Sequence, residues 1–258
     1  MSLTKLLAHP LTQDMDIDDP LTTSVRREII RSKPFLSKLY QEWYKRLAHD
    51  IPVGDGMVLE LGSGAGFFKD IIPETITSEV FFLDSVDAVL DATQLPFRDA
   101  ALKAIVMVDV LHHIPNSEAF LLEASRCLKP GGVISLIEPW VTPWSSVVYT
   151  HLHHEPFEPD VKQWEFPSCG PLSGANGALP WIICSRDSHV WDDLLPDLRV
   201  ESITPDWPFS YLASGGVSMR SLSPGWSFSS WRFLEKLLSP LRTKLAMFAA
   251  ITIRKNNS

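Results

Sequence analysis

The sequence predicts an α/β protein built on a doubly wound, mainly parallel sheet, with an N-terminal helical cap and an insertion after the fifth strand. Three observations carry this. Between residues 57 and 140, short, almost wholly apolar runs alternate with stretches of helical periodicity, the pattern of strands covered on both faces. The first such run leads into Gly62, Gly64 and Gly66, a strand-to-helix turn where backbone amides can approach a ligand. Apolar residues make up 45% of 258, enough for a full core without disulfide or metal staples.

Taken in order, residues 1–20 are polar and bounded by prolines. Residues 22–48 are helical, interrupted at Pro34, with Leu36, Leu39, Tyr40, Trp43, Tyr44 and Leu47 on one apolar face. Strand-like runs follow at 57–61, 75–78, 86–90, 104–110 and 133–137. A short helix is expected at 67–72, stopped by Pro73, and a longer one at 117–128, stopped by Lys129-Pro130-Gly131-Gly132. After Pro139 the composition changes: 8 of the 9 Trp lie beyond it, and residues 140–190 show little periodicity. Periodicity returns as a strand at 198–203, a helix at 226–238 and a strand at 246–253.

Charge and cysteine usage exclude some classes. The net charge of −8 argues against a nucleic-acid backbone as partner. Cys127, Cys169 and Cys184 form no C-x-x-C pair, which fits a reducing, cytoplasmic setting. Residues 1–19 do not read as a secretory leader, and no run of apolar residues is long enough for a membrane span. A dinucleotide site would need G-x-G-x-x-G, but the third glycine position holds Phe67.

Four ordered segments carry a more specific resemblance: VLELGSGAGF at 58–67, LDATQLPFRD at 90–99, AIVMVDVLHHI at 104–114 and EASRCLKPGGVISLIEP at 123–139. Together they resemble the class I S-adenosylmethionine-dependent methyltransferases, type 11 group, related to quinone-biosynthesis methyltransferases. The resemblance implies a Rossmann-like methyltransferase fold, with S-adenosylmethionine as methyl donor and S-adenosylhomocysteine as product. By position it implies Glu60 at the methionine amine, Gly62, Ser63 and Gly64 along the methionine and ribose, Asp91 and Ala92 at the adenine edge, and Asp109 and Val110 beside the methionine. The acid for the ribose hydroxyls is Glu79 or Asp84, 17 and 22 residues past Gly62. Only 6 residues separate Asp84 from Asp91, against 11 from Glu79. The need to fit a third strand therefore favours Glu79, and it leaves no room for a helix between strands two and three.

The resulting plan is a single domain. Residues 1–50 form a tail and cap, 57–140 the cofactor core, 140–195 an acceptor-site insertion and 196–258 the closing strands and helix. The acceptor is expected to be a small molecule, glycan or lipid-like compound, with no metal required. His154 and Glu155, in the run His151-Leu152-His153-His154-Glu155, are candidates for a base. His113, Trp140 and Trp144 are candidates for acceptor contact, the two Trp because they follow strand five at the sheet's carboxyl edge. His112 and His113 together are otherwise read as a helix-start pair, one packed and one solvated. Tyr40, Trp43 and Tyr44 are read mainly as packing, Trp226 and Trp231 as core. Arg26, Arg27 and Lys33 are the basic candidates for the cofactor carboxylate. A non-catalytic protein on the same fold, or a nucleotide-dependent oxidoreductase, stays open as an alternative.

Overall fold

The computed structural model describes residues 8–12, 15–153, 155–167 and 170–257. Seven strands form one sheet: β1 Met57–Glu60, β2 Ile76–Glu79, β3 Ala88–Val89, β4 Leu102–Val108, β5 Leu128–Pro139, β6 Leu198–Asp206 and β7 Phe248–Lys255. Their order is β3-β2-β1-β4-β5-β7-β6. The first five are parallel, and β7 runs antiparallel between β5 and β6. The sheet is thus doubly wound with one reversed strand, and the cofactor-like half and the Trp-rich half share it.

The five longer helices are α1 Pro20–Ser32, α2 Pro34–Asp50, α3 Ser117–Cys127, α4 Pro143–Leu152 and α5 Phe228–Leu237. Side-chain alternation along β4 divides them. Ile105 and Met107 point to the face covered by α3 and residues 178–195, where Phe120, Leu121, Ile182, Ile183 and Trp191 are buried. Ala104 and Val106 point to the opposite face, covered by α2 and α4. Pro34 separates α1 from α2 because the residue before a proline resists the helical conformation; Lys33 is extended, at φ −96° and ψ 101°. Its buried ammonium donates to the carbonyls of Gly216 and Met219, and burial lowers its pKa to about 8.

Some elements differ from the expected ones, for local reasons. The helix at 67–72 is only a 3-10 turn, Phe68–Asp70. β4 stops at Val108 because Asp109 turns to φ +62°. β5 starts at Leu128 instead of 133, the glycine turn being absorbed as a register shift against Leu102 and Ala104. No helix lies between β2 and β3. Asp87 orders this connection instead, accepting hydrogen bonds from Thr77 N (2.9 Å), Thr77 Oγ1 (2.9 Å) and Lys69 Nζ (2.7 Å). The Lys69 ammonium and these bonds hold its carboxyl down at about 2. Among the described residues, no helix is long and apolar enough to cross a membrane.

The aromatic residues sort by exposure. Trp43 is wholly buried, its ring within 6.1 Å of those of Tyr40, Trp207, Tyr211 and Phe248. Trp226, expected in the core, is 82% exposed, and Trp231 is partly exposed. Their five-residue spacing sets them on different faces, and only the Trp231 side turns inward. Trp43→Ala should therefore cost about 3–5 kcal/mol in urea denaturation, and Trp226→Ala less than about 0.5 kcal/mol. Equal losses would contradict this packing.

Candidate active site

The carboxyl ends of β1 to β4 open onto a cavity of about 480 Å³, a size typical of sites for one small ligand. At its base, β1 ends in a glycine turn. Gly62 has φ +68°, and a Cβ there would lie 2.3 Å from Val110 Cγ2, so only glycine lets the β1 and β4 loops meet. Glu79 ends β2, where its Oε1 accepts from Gly64 N (3.2 Å) and its Oε2 from Val80 N (3.0 Å). Asp91 follows β3, and its Oδ1 accepts from Thr93 N (2.8 Å) and Thr93 Oγ1 (2.7 Å). Asp109 and Val110 follow β4, and Ala92 sits beside Asp91 on the wall. Gly62, Glu79, Asp91, Ala92, Asp109 and Val110 all line this one cavity. Asp84 is exposed and does not.

Glu60, Ser63 and Gly64 are buried or closely packed behind this wall. The reason is the cap: a Cβ on Gly64 would meet Thr23 of α1 at 2.5 Å, so α1 covers the turn where the sequence pointed to open contact. Burial raises the carboxyl of Glu60 to about 7, with Ser63 opposing the shift. Burial likewise raises Asp109 to about 7, opposed mainly by His112, and raises Glu79.

The cavity wall is short of positive charge relative to acid. Among the described residues its acids are Glu79, Asp91, Asp109 and Glu155, and its single Lys or Arg is Arg26 of α1. Of the three basic candidates, only Arg26 reaches this wall. Tyr40 of α2 lines it as well, while Trp43 and Tyr44 pack in the core beneath.

The far side of the cavity is a cluster absent from the sequence-level site as a unit. Glu138 ends β5 and is fully buried. Its Oε1 accepts from Val110 N (2.8 Å) and Leu111 N (2.7 Å), and its Oε2 pairs with His112 Nδ1 (2.7 Å). His112 Nε2 faces Glu155 Oε2 at 3.5 Å and Asp109 Oδ1 at 3.9 Å. His113 Nδ1 meets the Gly174 carbonyl at 3.1 Å. A carbonyl only accepts, so Nδ1 carries the hydrogen and Nε2 the lone pair. That Nε2 lies 3.8 Å from Glu155 Oε1. Burial disfavours charge on His112, yet the bonds to Glu138 and Glu155 hold its pKa well above 6.5. His113 is pushed the other way, to about 4, by burial and the neighbouring His112 charge. Burial would raise Glu155, but His112 and the other two imidazoles hold it below the usual carboxylate range. Ligand atoms of His112, His113 and Glu155 converge within 4.8 Å, within reach of a small cation.

His113, His153 and Glu155 line the cavity with Pro171 and Leu172, so residues 140–195 do supply part of its wall. His154 lies outside the described residues. Trp140 and Trp144, expected on the wall, are not on it. β5 pairs with β7 as far as Pro139, so Trp140 is still held at the sheet and its ring drops into the core. Trp144 on α4 turns to the 207–209 segment, its Nε1 donating to Pro208 O at 3.0 Å. Sequence reasoning passed over Glu138, whose signal was a lone acid ending an otherwise apolar strand. It also passed over Tyr211, Val217 and Ser218, which close the wall and have no readable motif.

Comparison with known proteins agrees with this geometry. The model of a family described as a methyltransferase domain, type 11, matches residues 59–136. The chain is 31% identical over 111 residues to a Mycolicibacterium smegmatis protein described as an S-adenosylmethionine-dependent methyltransferase, covering 37% of this chain and 42% of that one. It is 25% identical over 182 residues to norajmaline N-methyltransferase of Rauvolfia serpentina, covering 64% and 56%. The chain thus matches about half the length of these curated relatives. Its fold is shared with a chain in the complex of the Haloferax volcanii Trm112 methyltransferase activator with a methyltransferase. The TM-score there is 0.54 at 14% identity, covering 95% of this chain and 99% of that one. Residues 59–136 thus match the type 11 methyltransferase-domain family.

The His112 pair sets a pH dependence of stability. A histidine whose pKa is raised on folding contributes stability that is fully present below the unfolded value of 6.5 and is lost as pH rises through the folded one. The stability gap between wild type and His112→Asn should thus be larger at about pH 6 than at about pH 9 in urea titrations. A gap that widens with pH would show His112 to be neutral in the folded protein.

Proposed function

We propose that the protein transfers a methyl group from S-adenosylmethionine to a small-molecule, glycan or lipid-like acceptor. The observation that carries this reading is the acid-walled cavity, with Arg26 as its single Lys or Arg among the described residues. A dinucleotide brings a pyrophosphate and calls for basic groups or open amides. S-adenosylmethionine brings an ammonium, a sulfonium, a ribose diol and an exocyclic amine, all suited to oxygen acceptors. Buried carboxylates with raised pKa values are the groups such a cation would satisfy.

In this reading Glu79 would hold the ribose hydroxyls and Asp91, with the Ala92 amide, the adenine edge. Asp109 would face the methionine amine, and Arg26 would take the carboxylate. When bound, the cofactor supplies an electrophilic methyl on a sulfonium. The chain's own work is to hold the acceptor in line at near-contact distance, which accounts for much of the rate in such a displacement. His113 is neutral at pH 7 and offers its Nε2 lone pair to the cavity, so it is the group to take a proton from an acceptor hydroxyl or amine. Glu155 then faces the imidazolium formed. His112 already carries a proton and serves to keep Glu155 ionised and placed. The catalytic pair proposed from the structure is thus His113 with Glu155.

Labelled S-adenosylmethionine incubated with cell extract should label a small compound, glycan or lipid. No labelled product, or labelled protein only, would count against the reading. On an acceptor so found, His113→Ala and Glu155→Gln should lower kcat roughly a hundredfold while leaving cofactor affinity within about threefold. Cofactor affinity should itself fall with acidity, because the cation favours ionised Asp109 and that group has a pKa of about 7 in the free protein. Calorimetry should show roughly tenfold weaker binding at about pH 6 than at about pH 8, with proton release. An affinity that is flat or rises as pH falls would remove Asp109 from the site.

A further inference from the structure

We propose that α5, with the turn before it, docks the protein on an anionic lipid surface. The face concerned is apolar and outward. Trp226 is 82% exposed, Phe233 64%, Leu237 61% and Leu241 44%. Phe233 and Leu237, four apart, share one side of α5; Trp226 lies in the turn before it and Leu241 in the turn after it. Leu234, next to Phe233 on α5, is 42% exposed as well. An aromatic and aliphatic stripe of this kind is what a helix lying in a membrane interface presents, and Trp in particular suits a boundary that is apolar at one end and wet at the other.

The charges beside the stripe say which occupant fits. Lys236, Arg242 and Lys244 are exposed. The one acid between residues 222 and 245 is Glu235. It is 2% exposed and consumed internally by Phe209 N, Ser210 N, Ser210 Oγ and Arg232. Arg232 is in turn held by Glu42 and Asp206. A chain of net charge −8 thus carries three exposed cations on and just after α5, two of which, Lys236 and Arg242, also border a cavity with Glu42, Asp206 and Glu235. A second copy packed on this face would set like charges against each other; anionic headgroups would neutralise them.

The patch is also tied to the cavity. Glu235 grips the amides of Phe209 and Ser210, which begin the short helix Ser210–Ser214. Tyr211 of that helix lines the cavity, as do Val217 and Ser218 just beyond it. A lipid surface held against α5 therefore lies one short segment from the cavity wall. This favours the lipid-like class among the acceptors left open above and rests on that reading, whereas the docking itself does not.

The test uses the full chain and vesicles of phosphatidylcholine, with or without about one-third phosphatidylglycerol. The protein should co-sediment with the anionic vesicles roughly tenfold or more better than with the neutral ones, and less so as salt rises. The triple variant Trp226→Ser, Phe233→Ser, Leu237→Ser should lose that binding while keeping the wild-type melting temperature and S-adenosylmethionine affinity. Lys236→Glu with Lys244→Glu should lose the preference for anionic vesicles. Wild type remaining in the supernatant with both vesicles, or a triple variant that still sediments, would overturn the proposal. So would a wild-type dimer that the triple variant dissolves, which would give the face to a second copy. Failure of S-adenosylmethionine to bind would overturn the methyl-transfer reading and leave vesicle binding intact.

Discussion

The carboxylate of Glu138 is the hinge on which the site turns. It ends β5, is fully buried, and accepts from two successive backbone amides after β4 and from the ring of His112. A buried carboxylate is costly unless its lone pairs are met by donors, so these three partners are fixed in place as a set. The fixed amides are those of Val110 and Leu111, so the carboxyl end of β4 cannot drift from β5. Val110 in turn closes on Gly62, which sets β1 against β4. The fixed ring is His112, which faces Glu155 and so anchors the 140–195 stretch to the sheet. One acid thus links three strands and the insertion around a single cavity.

Charge is distributed to match. The cavity wall is acidic, and burial raises two of its carboxyls, Glu79 and Asp109, which have few basic partners. The free protein therefore holds carboxyls whose ionised form is poorly satisfied, the condition in which a cationic ligand gains most on entry. The imidazole cluster works in the opposite sense. Two carboxylates raise the pKa of His112, while burial and, after it, the His112 charge lower that of its neighbour His113. Two adjacent histidines are thus driven to different protonation states.

Much of the sheet was legible from residues 57–140, because buried parallel strands are short and uniformly apolar and the glycine turn punctuates them. The choice of Glu79 over Asp84 followed from chain length alone, and Glu79 does sit at the end of β2 on the cavity. The less legible parts are those set by distant contacts. Nothing local in Glu60, Ser63 and Gly64 reveals that Thr23 of α1 covers them. Trp140 and Trp144 stand at the correct edge, but the pairing of β5 with β7 and the 207–209 segment decide where their rings go. The histidine pair was visible in sequence; its division of roles was not, since it depends on Glu138, 26 residues after His112 in the chain.

The central claim is that the acid-walled cavity accepts a sulfonium nucleoside and not a dinucleotide. Calorimetric titration of the full chain with S-adenosylmethionine, S-adenosylhomocysteine and NAD tests it most directly, with Glu79→Ala and Asp84→Ala as companions. Saturable binding of the first two ligands, no binding of NAD, a loss of roughly tenfold or more with Glu79→Ala and none with Asp84→Ala are expected. Binding of NAD alone, or a loss confined to Asp84→Ala, would contradict it.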